Sequence, residues 1–250
     1  MLRRLWQPLL NPVQRQHDQQ VRARRLPARR QLRLRYNSHP ESCIFNAAGQ
    51  LYVGQADGLH NVRKLDAAGN QLASYNPTVG GRGTDWIDLA ADQCTLYYTS
   101  EDTVLRRFNV CTNTQLSNFV TAPAGSCYAH KLRPNGDIVV ACRAAAYRYS
   151  SAGTLLRTYP AAGLTPAAGN LFALNLDPDD ATFWTADFTS HEVYRINLAT
   201  GAEVSHFNAA GSVSISGLSI AGEIVVAQPS PSPTPSPTPA LPAPPATGRG

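Results

Sequence analysis

Five cysteines carry the spacing in this chain that speaks most directly of chemistry. Cys94 and Cys111 stand symmetrically about Asp102-Thr103. In an antiparallel hairpin turning there they face each other with Cα atoms about 4.5–5.5 Å apart, a separation that a disulfide accepts. Cys127 and Cys142 stand in the same way about Pro134-Asn135, and a second bridge follows unless a bulge at Gly136 shifts the register by one residue. Cys43 is left over and is expected as a small buried thiol of an inner strand. None of the five sits in a CxxC or a Cys/His spacing of the zinc type, which argues against metal binding by cysteine. Two bridges imply an oxidising compartment, hence an extracellular or cell-surface protein. Against this, Leu5-Trp6-Gln7-Pro8-Leu9-Leu10 is too short and broken for the apolar centre of a secretion signal.

Other catalytic signatures are missing. His130, His191 and His206 are far apart, and no serine occupies a GxSxG elbow, so a nucleophilic triad has no support. Gly80-Gly81-Arg82-Gly83 lacks the GxxxxGK[ST] pattern and a following helix, and reads as a loop. No apolar run approaches the roughly 18 residues of a membrane span. The formal charge of +5 comes from one end: ten arginines face a lone Asp18 in the first 36 residues, and the remainder carries a net −4. Nucleic acid is therefore not an expected partner of the main domain.

The elements that must position any site are repeated. Leu51-Tyr52-Val53, Leu96-Tyr97-Tyr98, Ile138-Val139-Val140, Phe183-Trp184 and Ile224-Val225-Val226 are copies of one apolar strand, at a period of 41–47 residues. Downstream of the first four, Arg63-Lys64-Leu65-Asp66, Arg106-Arg107-Phe108-Asn109, Tyr147-Arg148-Tyr149-Ser150 and Tyr194-Arg195-Ile196-Asn197 form a second landmark, and each runs into a turn and a last strand. Those last strands are Asn70 to Tyr75, Thr114 to Phe119, Thr154 to Tyr159 and Ala202 to Phe207. Short strands separated by Gly, Asn, Asp and Pro leave no room for helices, so the fold is all-β. A repeat of this length with four antiparallel strands is a propeller blade, because one small twisted sheet must stack on its neighbours to bury both faces. The expectation is a β-propeller over residues 31–227 with four complete blades and a partial fifth, its ring open or truncated. Lys64, Arg107, Arg148 and Arg195 recur at one blade position, which predicts a structural role in each blade.

Phrases such as Phe45-Asn46-Ala47-Ala48-Gly49-Gln50-Leu51-Tyr52-Val53 and Val193-Tyr194-Arg195-Ile196-Asn197-Leu198-Ala199-Thr200-Gly201 resemble the NHL and SMP-30/gluconolactonase-like propeller repeats of bacterial secreted proteins. Ligands of a propeller gather where the inner strands converge on the axis. The residues at the starts of those strands are Glu41, Asp85 with Trp86, Tyr128 with His130, and Asn170 with Phe172. In the lactonase-like relatives, carboxylates and amides at such positions hold a divalent cation that polarises an ester and activates water. The resemblance makes Glu41, Asp85 and Asn170 the candidate ligands here, for Ca²⁺ or Zn²⁺. Asp85 and Asn170 also follow Gly-rich turns, where short polar side chains commonly satisfy nearby backbone groups instead.

Residues 1–30 form an Arg- and Gln-rich arm without strand or helix periodicity. A wrong start or reading frame explains it better than a nucleic-acid tail or transit peptide. Gln31 to Asn37 matches the closing strand of a blade. Residues 228–250 alternate Pro with Ser, Thr and Ala, the composition of an extended stalk or linker to a further module or a surface anchor. The favoured function is a secreted or surface-attached binding scaffold that contacts a protein or glycan. The alternative is a metal-dependent, lactonase-like hydrolase or lyase.

Overall fold

Asn109 and Asn197 end the third strand of their blades and Asp66 directly follows its own, and each turns its side-chain oxygen back onto the following N–H groups. Asp66 accepts from Ala68 and Asn70, Asn109 from Cys111 and Thr112, and Asn197 from Ala199 and Thr200, at 2.8–2.9 Å. This local chemistry fixes where each outer hairpin turns. The computed structural model describes residues 39–209, 211 and 214–224, all within the unit Tyr36–Gly250. The arm at 1–30, the strand expected at 31–37, Val225-Val226 and the Pro-rich segment 228–250 lie outside the described residues.

Four antiparallel sheets stand in a ring, a four-bladed β-propeller. Blade 1 is β1 (Pro40–Phe45), β2 (Leu51–Gln55), β3 (Val62–Leu65) and β4 (Gln71–Tyr75). Blade 2 is β5 (Ile87–Leu89), β6 (Thr95–Tyr98) and β7 (Val104–Asn109), with an outer strand in two pieces, β8 (Thr114–Gln115) and β9 (Val120–Thr121). Blade 3 is β10 (Cys127–Leu132), β11 (Ile138–Cys142), β12 (Ala145–Tyr149) and β13 (Leu155–Pro160). Blade 4 is β14 (Leu171–Leu176), β15 (Thr182–Asp187), β16 (Glu192–Asn197) and β17 (Glu203–Asn208). A 3₁₀ turn at Ala161–Gly163 follows blade 3.

A fifth blade does not form among the described residues. Residues 214–224 carry no strand and lie on the flank of blade 4, where Ile215 packs with Ala173, Ala186 and Val193. Asn175 donates to the Leu218 carbonyl at 3.1 Å. The outer strand of blade 2 is broken because its register against β7 shifts by two residues between Gln115 and Val120.

Both expected disulfides are present, each by a route that simple turn symmetry does not give. Cys94 opposes Val110, which donates to its carbonyl at 2.8 Å. Cys111 lies one residue further on, beyond the end of β7, and closes the bridge at a Cα separation of 5.2 Å. In blade 3 the Gly136 turn does shift the register, pairing Leu132 with Ile138. An irregularity between Cys127 and His130 then shifts it back, so that Cys127 faces Cys142.

Radial stacking sets the burial. All six residues of β14 and all five of β11 are buried, whereas β17 has none buried and β13 only one. Aromatic side chains bridge successive blades: Tyr75 meets Phe108 and Tyr159 meets Phe183 at ring separations of 6.0 and 5.0 Å. The recurring basic residues act within blades. Lys64 lies over Tyr52 and Arg195 over Trp184, each across a strand pair, while Arg148 pairs with Asp137 at 2.6 Å. These contacts give the repeat symmetry a structural cause.

Blades 1 and 2 approach so closely at Gly83 that an added Cβ would lie 2.6 Å from the Ala56 carbonyl oxygen. Gly83→Ala should therefore lower stability by about 1–3 kcal/mol or more. Gly163→Ala, whose Cβ would meet nothing within 4 Å, should stay within about 0.5 kcal/mol. Urea unfolding of the two variants checks this, and equal midpoints would contradict the close contact.

His130 on β10 is 0% exposed, and its ring nitrogens lie near the Tyr97 and Tyr128 backbone without a well-formed hydrogen bond to either. Burial first, and the Lys131 charge second, push its pKa down to about 3. The unfolded chain takes up this proton near pH 6.5, the ordinary histidine value. Stability from the neutral ring is thus complete above about pH 6.5 and is lost as pH falls toward 3, by about 1.4 kcal/mol per pH unit. His130→Leu should remove that slope between pH 6.5 and 4.5. Parallel stability curves for variant and wild type would show that the ring is not buried and neutral.

Candidate functional site

The inner strands begin at one end of the ring axis, and the register places four of their side chains at equivalent positions. Ile44, Asp88, Lys131 and Asn175 oppose the matching residues Tyr52, Tyr97, Val139 and Trp184 of the second strands. Glu41, Asp85, Tyr128 and Phe172 each stand three residues earlier. Glu41, Tyr128 and Phe172 line a cavity of about 580 Å³, together with Arg82, Glu101 and Asn170. Pro40, Phe188, Ser214 and Ser216 complete its wall.

One side of this cup is acidic. Glu41, Asp85 and Glu101 bring carboxylate oxygens within 4.8 Å of one another. Asp85 is only 1% exposed, and neither of its carboxylate oxygens accepts from an N–H or hydroxyl group, leaving the Glu41 carboxyl as its hydrogen-bonding neighbour; its backbone N–H bonds to the Thr99 carbonyl at 3.1 Å. The side chain is thus not consumed by its own turn, the alternative that a Gly-rich approach suggests. Burial first, then a hydrogen bond shared with Glu41 and the charges of Glu41 and Glu101, raises its pKa to about 9, with Arg82 pulling the other way. Asn170 presents a second unsatisfied acceptor at the cavity wall, since its Oδ1 is buried without a partner.

Arg82 provides the counter-charge. It projects from the loop between β4 and β5 and contacts Glu41 at 3.2 Å, Glu101 at 2.9 Å and Asp57 at 2.6 Å. His39 contacts the same Asp57 oxygen at 2.6 Å. Opposite the carboxylates stands an aromatic stack, in which Tyr128 lies 4.2 Å from Phe172 and Phe172 lies 5.0 Å from Phe188, centroid to centroid. Such a cup offers hard oxygen donors on one wall and an apolar platform on the other.

Of the residues singled out from the sequence, Glu41, Tyr128, Asn170 and Phe172 line this cup and Asp85 joins its carboxylates. Trp86 lies elsewhere, on a second cavity of about 380 Å³ with Cys43, Lys131 and Glu223. His130 lines neither cavity. Cys43 corrects the expectation of a buried thiol: it is unpaired and exposed, because β1, β5 and residues 217–223 leave a gap beside it. Glu101 and Arg82 escaped the sequence reading, since both come from loops and not from strand starts. Glu101 did leave a trace: a glutamate at the tip of the turn between β6 and β7, held at φ 52°, where glycine or asparagine is the usual choice.

No family model matches the chain, and a search of curated proteins finds no match.

The acidic wall has a measurable signature in metal-free solution. Because the Asp85 pKa is raised on folding, its contribution to stability is complete below the ordinary aspartate value of about 3.9 and is lost as pH rises through the raised value. In EDTA, Asp85→Asn should flatten the fall in melting temperature between pH 5 and 8, and should melt higher than wild type at pH 8. Calorimetry at three pH values decides the point. An unchanged slope would mean that Asp85 carries its charge without penalty.

Proposed function

We propose that this chain is a secreted or surface-attached binding propeller that takes its ligand, on a protein or glycan, at the axial cup. A divalent cation held by Glu41, Asp85 and Glu101 anchors that ligand. The observation that carries this reading is Asp85: a carboxylate 1% exposed that no N–H, hydroxyl or cationic group satisfies, set within 4.8 Å of two others. An ionised carboxylate buried without a partner is strongly disfavoured, and a bound cation removes the penalty. The donors are all oxygen, which suits calcium better than zinc, a metal that prefers nitrogen and sulfur. When bound, the cation would accept oxygens of the ligand, as vicinal hydroxyls or a carboxylate provide.

The chain's own residues supply the rest of the recognition. Asn170 offers an acceptor to a ligand N–H or O–H, Ser214 and Ser216 offer hydroxyls, and the Tyr128–Phe172 stack offers an apolar face. The two disulfides support an oxidising location. Kinship with the NHL and SMP-30/gluconolactonase-like propellers is supported by the blade phrases and by the blade architecture. Residues 228–250 serve as the stalk in this reading.

Thermal melting of the full chain in Ca²⁺, in Zn²⁺ and in EDTA tests the proposal. A cation at a hundredfold excess over its dissociation constant stabilises the native state by about 2.7 kcal/mol, a rise of about 5–10 °C for a domain of this size. Calcium should produce it, and Glu101→Gln should abolish it. No shift with either ion would remove the cation from the reading. Turnover of simple lactones by the calcium-loaded protein, lost in the same variant, would move the function from binding to metal-dependent hydrolysis.

A further inference from the structure

We infer that Arg82 is a tethered counter-ion which occupies part of the cation's place and thereby sets the affinity of the site and its preference for divalent ions; this rests on the cation reading above. Nη1 of Arg82 contacts two of the three carboxylates, Glu41 at 3.2 Å and Glu101 at 2.9 Å. The other edge of the same guanidinium holds Asp57 in a two-point contact, Nε at 3.0 Å and Nη2 at 2.6 Å. A cation drawing on Glu41, Asp85 and Glu101 competes with Nη1 for two of its ligands and leaves the Asp57 contact untouched. The guanidinium therefore has one berth that it loses and one that it keeps.

The loop is built so that only the side chain responds. Arg82 donates its backbone N–H to the Ser100 carbonyl at 2.9 Å and accepts from the Ser100 hydroxyl through its own carbonyl. Its neighbours are glycines in tight quarters: a Cβ at Gly81 would lie 3.0 Å from the Glu101 carbonyl oxygen, and one at Gly83 would lie 2.6 Å from that of Ala56. With the backbone pinned between blades 1 and 2, exchange is confined to the arm. Charge then selects the ion. A monovalent cation would replace one positive charge near Glu41 and Glu101 with another, whereas a divalent ion adds one. Asp85, which Arg82 does not bond, is the ligand that the guanidinium leaves unmet.

Calcium titration calorimetry on the full chain, with wild type, Arg82→Gln, Arg82→Lys and Asp57→Asn, tests the exchange. Circular dichroism melts confirm that each protein is folded. Arg82→Gln should bind calcium at least tenfold more tightly than wild type. Arg82→Lys should fall between, since an ammonium cannot span Asp57 and two glutamates as a fork does. Asp57→Asn, which removes the berth that the arginine keeps, should bind several-fold more weakly. If wild type binds and Arg82→Gln binds within twofold of it, or more weakly, the exchange is overturned while the cation reading stands. If neither protein binds, both ideas fall together; if only the variant binds, the exchange is supported at its strongest. Should Arg82→Gln not fold, Asp57→Asn decides, and equal or tighter binding overturns the inference.

Discussion

A four-stranded sheet of five-residue strands has two faces to bury and nothing within itself to cover them, and every other feature of this molecule follows from that shortage. Each blade uses its neighbour as a lid. The inner strands β5, β10 and β14 are buried almost throughout, β1 is buried at Ile44 alone, and exposure grows outward to β13 and β17. Glycine at position 83 and the bridging rings of Tyr75 and Tyr159 are consequences of the same demand for close approach between sheets. So is the cup, because strands forced to converge on one axis must place their first residues beside one another, whatever those residues are.

Convergence brings together side chains that would otherwise avoid each other. At 4.8 Å, two ionised carboxylates repel by about 3–4 kcal/mol at an effective dielectric constant of 20. Three of them on one wall make a costly arrangement for a fold whose whole stability is on the order of 10 kcal/mol. Arg82 offsets part of the charge, bridging Glu41 and Glu101, and protonation of Asp85 relieves more. The remedy is incomplete: protonated Asp85 donates to Glu41, but no N–H or hydroxyl reaches either of its buried oxygens. Such a cost at one wall is the physical basis of the cation proposed for the cup.

Repetition made the fold legible in the residues themselves. The apolar triplets and the basic landmarks mark the second and third strands of every blade, and the pairing of Lys64 with Tyr52 and of Arg195 with Trp184 explains why those landmarks recur in step. Strand starts were legible for the same reason, which is why Glu41, Asp85, Tyr128, Asn170 and Phe172 could be named in advance. Loops obey no such period. Glu101 and Arg82 reach the cup from turns whose course depends on backbone contacts with Ser100, Gln55 and Ala56, none of which a repeat reveals. The disulfides show the same limit on a smaller scale: the partners were readable, but the bulge between Cys127 and His130 that aligns one pair was not.

The two layers of the axis differ in how their polar groups are satisfied. One step inward from the cup, the equivalent positions hold the apolar Ile44 and three polar groups, Asp88, Lys131 and Asn175. There the needs are met from within. Asp88 accepts the backbone N–H groups of Leu89 and Leu132 at 2.9 and 2.8 Å, Lys131 stands 3.6 Å from Glu223, and Asn175 donates to Glu223 at 2.6 Å. Residues 214–224 close this layer in place of a fifth blade. In the outer layer the same geometry leaves Asp85 and the Asn170 oxygen without N–H or hydroxyl partners beside a cavity. One fold, one symmetry and one chain thus give a layer whose polar groups satisfy one another and a layer where Asp85 and Asn170 keep acceptors that no donor of the described residues meets.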